Sequence, residues 1–168
     1  MTSKVQCSNC AKDAKTVRGS YDFKESGLSN VVLQGIQLIR CSYCGNEDPI
    51  IPRINDLVRL LTVAVISKPY RLQGGEVRFL RKYLRMTGDE FARLIDVDKT
   101  TLSKWENSDD PVGPQSDRLI RMMALALGDG LQEKLDEIIR VSFPKISRKN
   151  VPSFGIEINP DAMSYQYA

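Results

Sequence analysis

Four cysteines carry the clearest chemistry in this chain: Cys7-x2-Cys10, thirty intervening residues, then Cys41-x2-Cys44. Two residues between cysteines let both sulfurs face one ion while the amides of the turn point at them. Two such pairs complete a tetrahedral thiolate shell with no open coordination position. The spacing therefore predicts one structural zinc ion per chain on Cys7, Cys10, Cys41 and Cys44, with metal binding contributing to the folding of the surrounding unit. Disulfides, free thiols, an iron–sulfur centre and a redox Cys-x-x-Cys compete with this reading. A cytosolic setting disfavours persistent disulfides, and two knuckles would be a coincidence for unlinked thiols. Gly45 follows the second pair, where a left-handed turn position is wanted.

Little else in the chain is equipped for catalysis. There is no histidine, which removes the usual general base, the triad imidazole and the commonest catalytic metal ligand. The carboxylates form no evident cluster, so no enzymatic activity is expected.

The second constellation is basic. Net charge is only +3, but Arg71, Arg78, Arg81, Lys82, Arg85, Arg93, Lys99 and Lys104 crowd the middle of the chain, against Glu76, Asp89, Glu90, Asp96 and Asp98. Within this stretch, Met86 to Asn107 reads as a helix, a tight turn at Asp96-Val97-Asp98, and a second helix that begins with short polar and basic residues. Ala92 is small where the two helices approach. Val97, Leu102 and Trp105 supply apolar anchors, and Asp98 is expected to cap the second helix.

Around these residues the elements order themselves into an α+β chain. Residues 1–50 are β-rich, with alternating stretches at Thr16 to Phe23 and Val31 to Ile39, the latter carrying Gly35 as a bulge candidate. A unit of about fifty residues needs a staple such as a metal. Residues 51–70 read as a linker helix, Pro52 to Ser67, and a hinge, with Pro52 in the first turn and the helix stopping before Lys68-Pro69. Residues 71–143 read as an all-α domain: Glu76 to Leu84, a helix opened by the Thr87-Gly88-Asp89-Glu90 capping box, one opened by Asp98, then Pro114 to Leu127 and Leu131 to Val141. The tail, 144–168, holds one alternating run, Phe154 to Ile158, as an edge strand or a mobile segment. The apolar run Leu57 to Ile66 is broken by Arg59 and Thr62 and falls short of the roughly 20 residues a bilayer span needs. With no apolar leader in the first residues, a cytoplasmic location is expected.

The helix–turn–helix segment, ending in Ser103-Lys104-Trp105-Glu106, resembles the lambda-repressor-like, or XRE-type, helix-turn-helix family. The resemblance implies that residues 99–107 enter the major groove, with Lys99, Thr100, Thr101 and Lys104 directed to bases and phosphates and Ser103 and Arg85 to the backbone. Gly88 stands where that family often has glutamine. A four-cysteine unit followed by a linker helix and such a domain is similar to the MqsA-type antitoxins, whose zinc domain is of the YgiT type. This likeness covers roughly residues 5 to 128. It implies a homodimer through the C-terminal domain, a palindromic double-stranded DNA operator in the protein's own promoter, and a zinc domain that binds a ribonuclease toxin. Thr100 and Lys104 stand where the family reads bases with asparagine and arginine, so a different operator is expected. The alternative is a stand-alone XRE-family regulator with a structural zinc domain and no toxin partner.

Overall fold

The computed structural model describes residues 5–108, 112–129, 131 and 155–167. In chain order these form β1 (Val5–Gln6), β2 (Asp13–Asp22), β3 (Val31–Arg40), β4 (Glu47–Ile50), α1 (Ile54–Ser67), α2 (Gly74–Tyr83), α3 (Gly88–Leu94), α4 (Lys99–Asn107), α5 (Pro114–Leu127), β5 (Ile156–Asn159) and β6 (Ser164–Tyr167). The class is mixed α+β. The expected helix from Leu131 to Val141 lies outside the described residues apart from Leu131, which is buried.

β3 organises the sheet. It pairs antiparallel with β2 along its length and with β4 at its C-terminal end, and it pairs parallel with β5 at its N-terminal end. Its buried side chains are Val31 and Leu33, then Ile36 and Leu38, so the two-residue alternation changes parity between them. The parity change is a bulge: Gly19 pairs with Ile36 and Tyr21 with Leu33, leaving Gln34 and Gly35 opposite Ser20. Gly35 adopts φ +72°, the left-handed conformation that makes the extra residue inexpensive.

The alternating run near the C-terminus does not end the sheet. β5 lies between β3 and β6, with Val31 opposite Ile156 and Leu33 opposite Ile158, and β6 is the outer strand. Ile156 and Ile158 are buried because they extend the apolar row of β3. β6 rests on α1, where the Tyr167 hydroxyl donates to the Ala64 carbonyl at 2.9 Å. Burial pushes the Tyr167 phenol well above its usual range.

α1 is a central element: Leu57, Leu61, Ala64 and Val65 are fully buried. One apolar cluster runs from Leu33, Leu38 and Ile158 of the sheet through these residues to Val77, Leu80, Phe91, Leu102, Ile120 and Ala124 of the later helices. Pro52 precedes the helix instead of occupying its first turn, because Arg53 turns the chain at φ +48° immediately before Ile54. The C-terminus follows the sequence, with Lys68 extended ahead of Pro69.

The segment marked as a hinge is pinned. Arg121 of α5, 1% exposed, donates to the carbonyls of Ile66, Lys68 and Tyr70, while Asp117 accepts from the Leu72 amide at 2.6 Å. Asp117 also pairs with Arg121 at 2.9 Å, one helical turn away. Beside them the buried Lys68 ammonium pairs with Glu76, whose carboxylate also accepts from the Gln73 amide at 2.7 Å. Burial pulls the Lys68 pKa below its usual value, against the pull of Glu76. These charges are tolerable inside the protein because each is met by an opposite charge, and Arg121, Asp117 and Glu76 also by main-chain groups.

α2 and α4 touch at Gly74, where a Cβ would stand 1.9 Å from the Trp105 carbonyl oxygen. Gly74→Ala should therefore lower stability by about 1–3 kcal/mol. Arg121→Met, which strips Asp117 of its counter-charge and three carbonyls of their donor, should cost about 3–5 kcal/mol. Urea unfolding of both variants against the parent measures each loss.

Candidate metal centre and polar helix face

The two cysteine pairs sit in matching turns, one between β1 and β2 and one between β3 and β4. In the first, the Cys7 amide donates to the Lys12 carbonyl at 2.9 Å and the Ala11 amide to the Cys7 carbonyl at 3.0 Å; in the second, Cys41, Asn46 and Gly45 repeat the pattern at the same distances. Both turns need a left-handed residue after the second cysteine. Gly45 supplies it at φ +73°, as the sequence indicates, and Ala11 adopts φ +56° in the equivalent place.

Antiparallel pairing of β2 with β3 brings the turns together. Cys7 Sγ lies 3.5 Å from Cys44 Sγ, and Cys10 Sγ lies 3.6 Å from Cys41 Sγ. All four sulfurs fall within 4.8 Å of one another. A tetrahedral ion bonded to four thiolates at about 2.3 Å spaces its sulfurs by about 3.8 Å, so the four sulfurs are gathered closely enough to hold a single metal ion. Cross-ties hold the turns in register: Ser8 donates to Asp48 at 2.6 Å, Asn46 donates to Ser8 at 3.2 Å, and the Lys12 ammonium sits 4.5 Å from the centre of the Tyr43 ring.

The amides of the second turn favour the thiolates of Cys41 and Cys44. The Asn46 N–H, followed by the neighbouring thiols, brings the Cys44 pKa down to about 6. The N–H groups of Cys44 and then Tyr43 lower Cys41. At Cys10 the Lys12 N–H also pulls downward, but desolvation and the three other thiols outweigh it and push the group to about 12. Negative charge is therefore favoured on Cys41 and Cys44 over Cys10.

The second cluster of predicted residues lies on α3 and α4. Thr87 opens α3 as the sequence indicates: its hydroxyl accepts from the Glu90 amide and the Glu90 carboxylate accepts from the Thr87 amide. Asp96, at φ +54°, ends α3 and the Val97 amide returns to the Ala92 carbonyl at 3.0 Å. Asp98 occupies the N-cap position of α4, yet its side chain makes no capping bond, contrary to expectation. Leu102 is buried, and Val97 and Trp105 pack against the core.

A clamp that sequence reasoning missed sets the angle of α4. Glu106, nearly buried, receives Arg81 through two bonds of 2.7 and 2.9 Å and Arg78 at 3.4 Å, while Arg78 also reaches Asn107 at 2.6 Å. The bidentate Arg81 pair fixes direction as well as distance. The basic residues of α2 are thereby partly spent inside the protein. Their signal was available in the sequence as Arg78 and Arg81 on one helical face, opposite a lone glutamate after Trp105.

What remains outward on α4 is a stripe of Thr100, Ser103, Lys104 and Asn107, all exposed and spaced three or four residues apart. Asn107 was not among the predicted site residues; its amide donates to the Ser103 carbonyl at 2.7 Å. Thr101 is half-buried and set off from this stripe. Lys99 is exposed but paired with Asp89 of α3 at 2.8 Å. Arg85 stands apart at the end of α2, 87% exposed and 3.9 Å from Asp129.

Freshly purified protein should carry one thiophilic metal ion per chain, and Cys10→Ser or Cys41→Ser should lower that to well under one equivalent by elemental mass spectrometry. Because nothing crowds Gly45, Gly45→Ala should cost only the left-handed backbone term, about 1 kcal/mol, and Ala11→Gly should gain up to a similar amount in thermal unfolding. A scan against protein-family models and a search of curated proteins each found no match for this chain, so the functional reading rests on the residues themselves.

Proposed function

We propose that this protein is a sequence-specific DNA-binding transcriptional regulator, with α3 and α4 as its helix-turn-helix, α4 as the recognition helix and a structural zinc ion on the four cysteines. The observation that carries the reading is the outward stripe of α4, Thr100, Ser103 and Lys104, on a helix whose orientation is clamped by Glu106. A recognition helix needs both properties: small polar and basic groups that reach base edges and phosphates, and a rigid mount that holds them in register. Lys104 is suited to guanine, and Thr100 to a thymine methyl or a single hydrogen bond. Zinc suits the site because four thiolates would complete its tetrahedral shell and leave no open position for substrate or water, as a structural ion requires.

One such helix reads too few base pairs to be selective, which favours a homodimer on a palindromic operator. The resemblance to MqsA-type antitoxins adds a second role, autorepression coupled to capture of a ribonuclease toxin by the four-cysteine unit. A specific feature favours the simpler alternative, a stand-alone regulator: β5 and β6 complete the cysteine-bearing sheet from the far end of the chain, so this unit is not built as a separable toxin-binding module.

Fluorescence anisotropy on fragments upstream of the protein's own operon tests DNA binding. Lys104→Ala should cost about 1–3 kcal/mol at a specific site and much less on random DNA, and affinity should fall steeply with salt. Equal losses on both duplexes would reduce Lys104 to a phosphate contact. Co-expression with the adjacent small reading frame separates the two roles: rescue from growth arrest by the full chain supports the antitoxin, and absence of toxicity leaves the regulator alone.

A further inference from the structure

We infer that Asp89 lowers the protein's sequence-independent affinity for duplex DNA by holding Lys99. This rests on the proposed DNA-binding role and assigns a function to a residue outside the recognition helix. Lys99 opens α4 and is the first basic group beside the outward stripe, yet its ammonium lies 2.8 Å from the Asp89 carboxylate in the first turn of α3. Both side chains are more than half exposed, so the pair lies on the surface and not in the core. Lys99 holds the Asp89 carboxyl below its usual range, and Arg93 adds to the effect. Two other nearby acids are differently placed: Glu90 is engaged by the Thr87 cap, and Asp98 precedes Lys99 at the helix start.

DNA docked on α4 meets this pair in one of two ways. A phosphate that takes Lys99 leaves the Asp89 carboxylate unpaired against the polyanion. A pair that stays closed leaves Lys99 neutralising no phosphate. Either way the protein forfeits about one charge from the counterion-release term, which is independent of sequence. Base contacts made by Thr100 and Lys104 do not depend on that charge. Binding to a specific site and to random DNA is therefore held down by about the same factor.

The test uses the full-length, metal-loaded protein and two probes: a mixed-sequence duplex, and a duplex selected by the parent protein from a randomised pool. Asp89→Asn should tighten binding to the mixed duplex about threefold to tenfold at low salt and steepen the slope of log affinity against log salt by about one. The affinity ratio between the two probes should stay close to the parent's. Lys99→Met should weaken binding to both, and the double variant should return close to the parent. Asp89→Ser, which keeps a short polar residue in the first turn of α3, should repeat the effect of Asp89→Asn, with circular dichroism confirming that each variant is folded. Unchanged affinity and salt slope in Asp89→Asn, with parental binding intact, would overturn the inference. Weaker binding by a folded Asp89→Asn would also overturn it and make Asp89 a residue that orients Lys99. Failure of the parent protein to bind either duplex would instead remove the DNA-binding role, and this inference with it.

Discussion

The guanidinium of Arg121 is the interaction on which the remainder of the structure depends. It is buried, it is charged, and its N–H groups reach the carbonyl of Ile66 in the last turn of α1 and those of Lys68 and Tyr70 in the segment that follows. An extended segment that passes through a protein interior leaves its polar groups without water, and each unmet group there costs free energy. Arg121 and Asp117 meet that need for residues 66–72 together, from a single turn of α5. The consequence is that α1, α2 and α5 have their mutual positions fixed through one side-chain pair. Lys68 and Glu76 stand next to it, so removing any of these charges exposes the others to an apolar surrounding.

From that anchor the polar helix face follows. α2 is fixed at its start by the Gln73 and Glu76 capping box and by the approach of Gly74 to Trp105, and it carries Arg78 and Arg81 to Glu106. α4 is thus held along its C-terminal end by α2, leaving Thr100, Ser103 and Lys104 for the outside. The four-cysteine cluster is reached through a different route, by register. Lys15 opposite Arg40 at the end of the β2–β3 pairing puts one cysteine turn beside the other, and the four sulfurs then converge.

Much of this was legible locally. The Cys-x-x-Cys pairs declare their turns, and Thr87 with Glu90 declares the start of α3. Pro114 and Gly128 bracket α5, whose observed bounds are the ones its apolar spacing indicates. Gly35 declares the bulge through its place in an otherwise alternating strand. What sequence reasoning lost was everything that depends on a distant partner. Asp117 and Arg121 look like solvent-facing charges until their spacing is matched to Ile120 and Ala124, which places them on the buried side. Ile156 and Ile158 form too short a run to announce that they join β3. Asp98 has the right residue type for a cap, but residue type does not determine where its side chain turns.

The parallel pairing of β3 with β5 also bears on how the molecule is made. Val31 and Leu33 are synthesised early, whereas Ile156 and Ile158 emerge only after every helix has been translated. On the ribosome, the N-terminal half of β3 therefore waits with an open, apolar strand edge, and loop closure across the helical block comes last. The cysteine turns lie at the opposite end of the same strand and are complete as soon as β4 has emerged. Metal capture early in synthesis would anchor one end of the sheet while the other is still open, shielding a nascent chain from edge-to-edge association at the stage when it is most exposed.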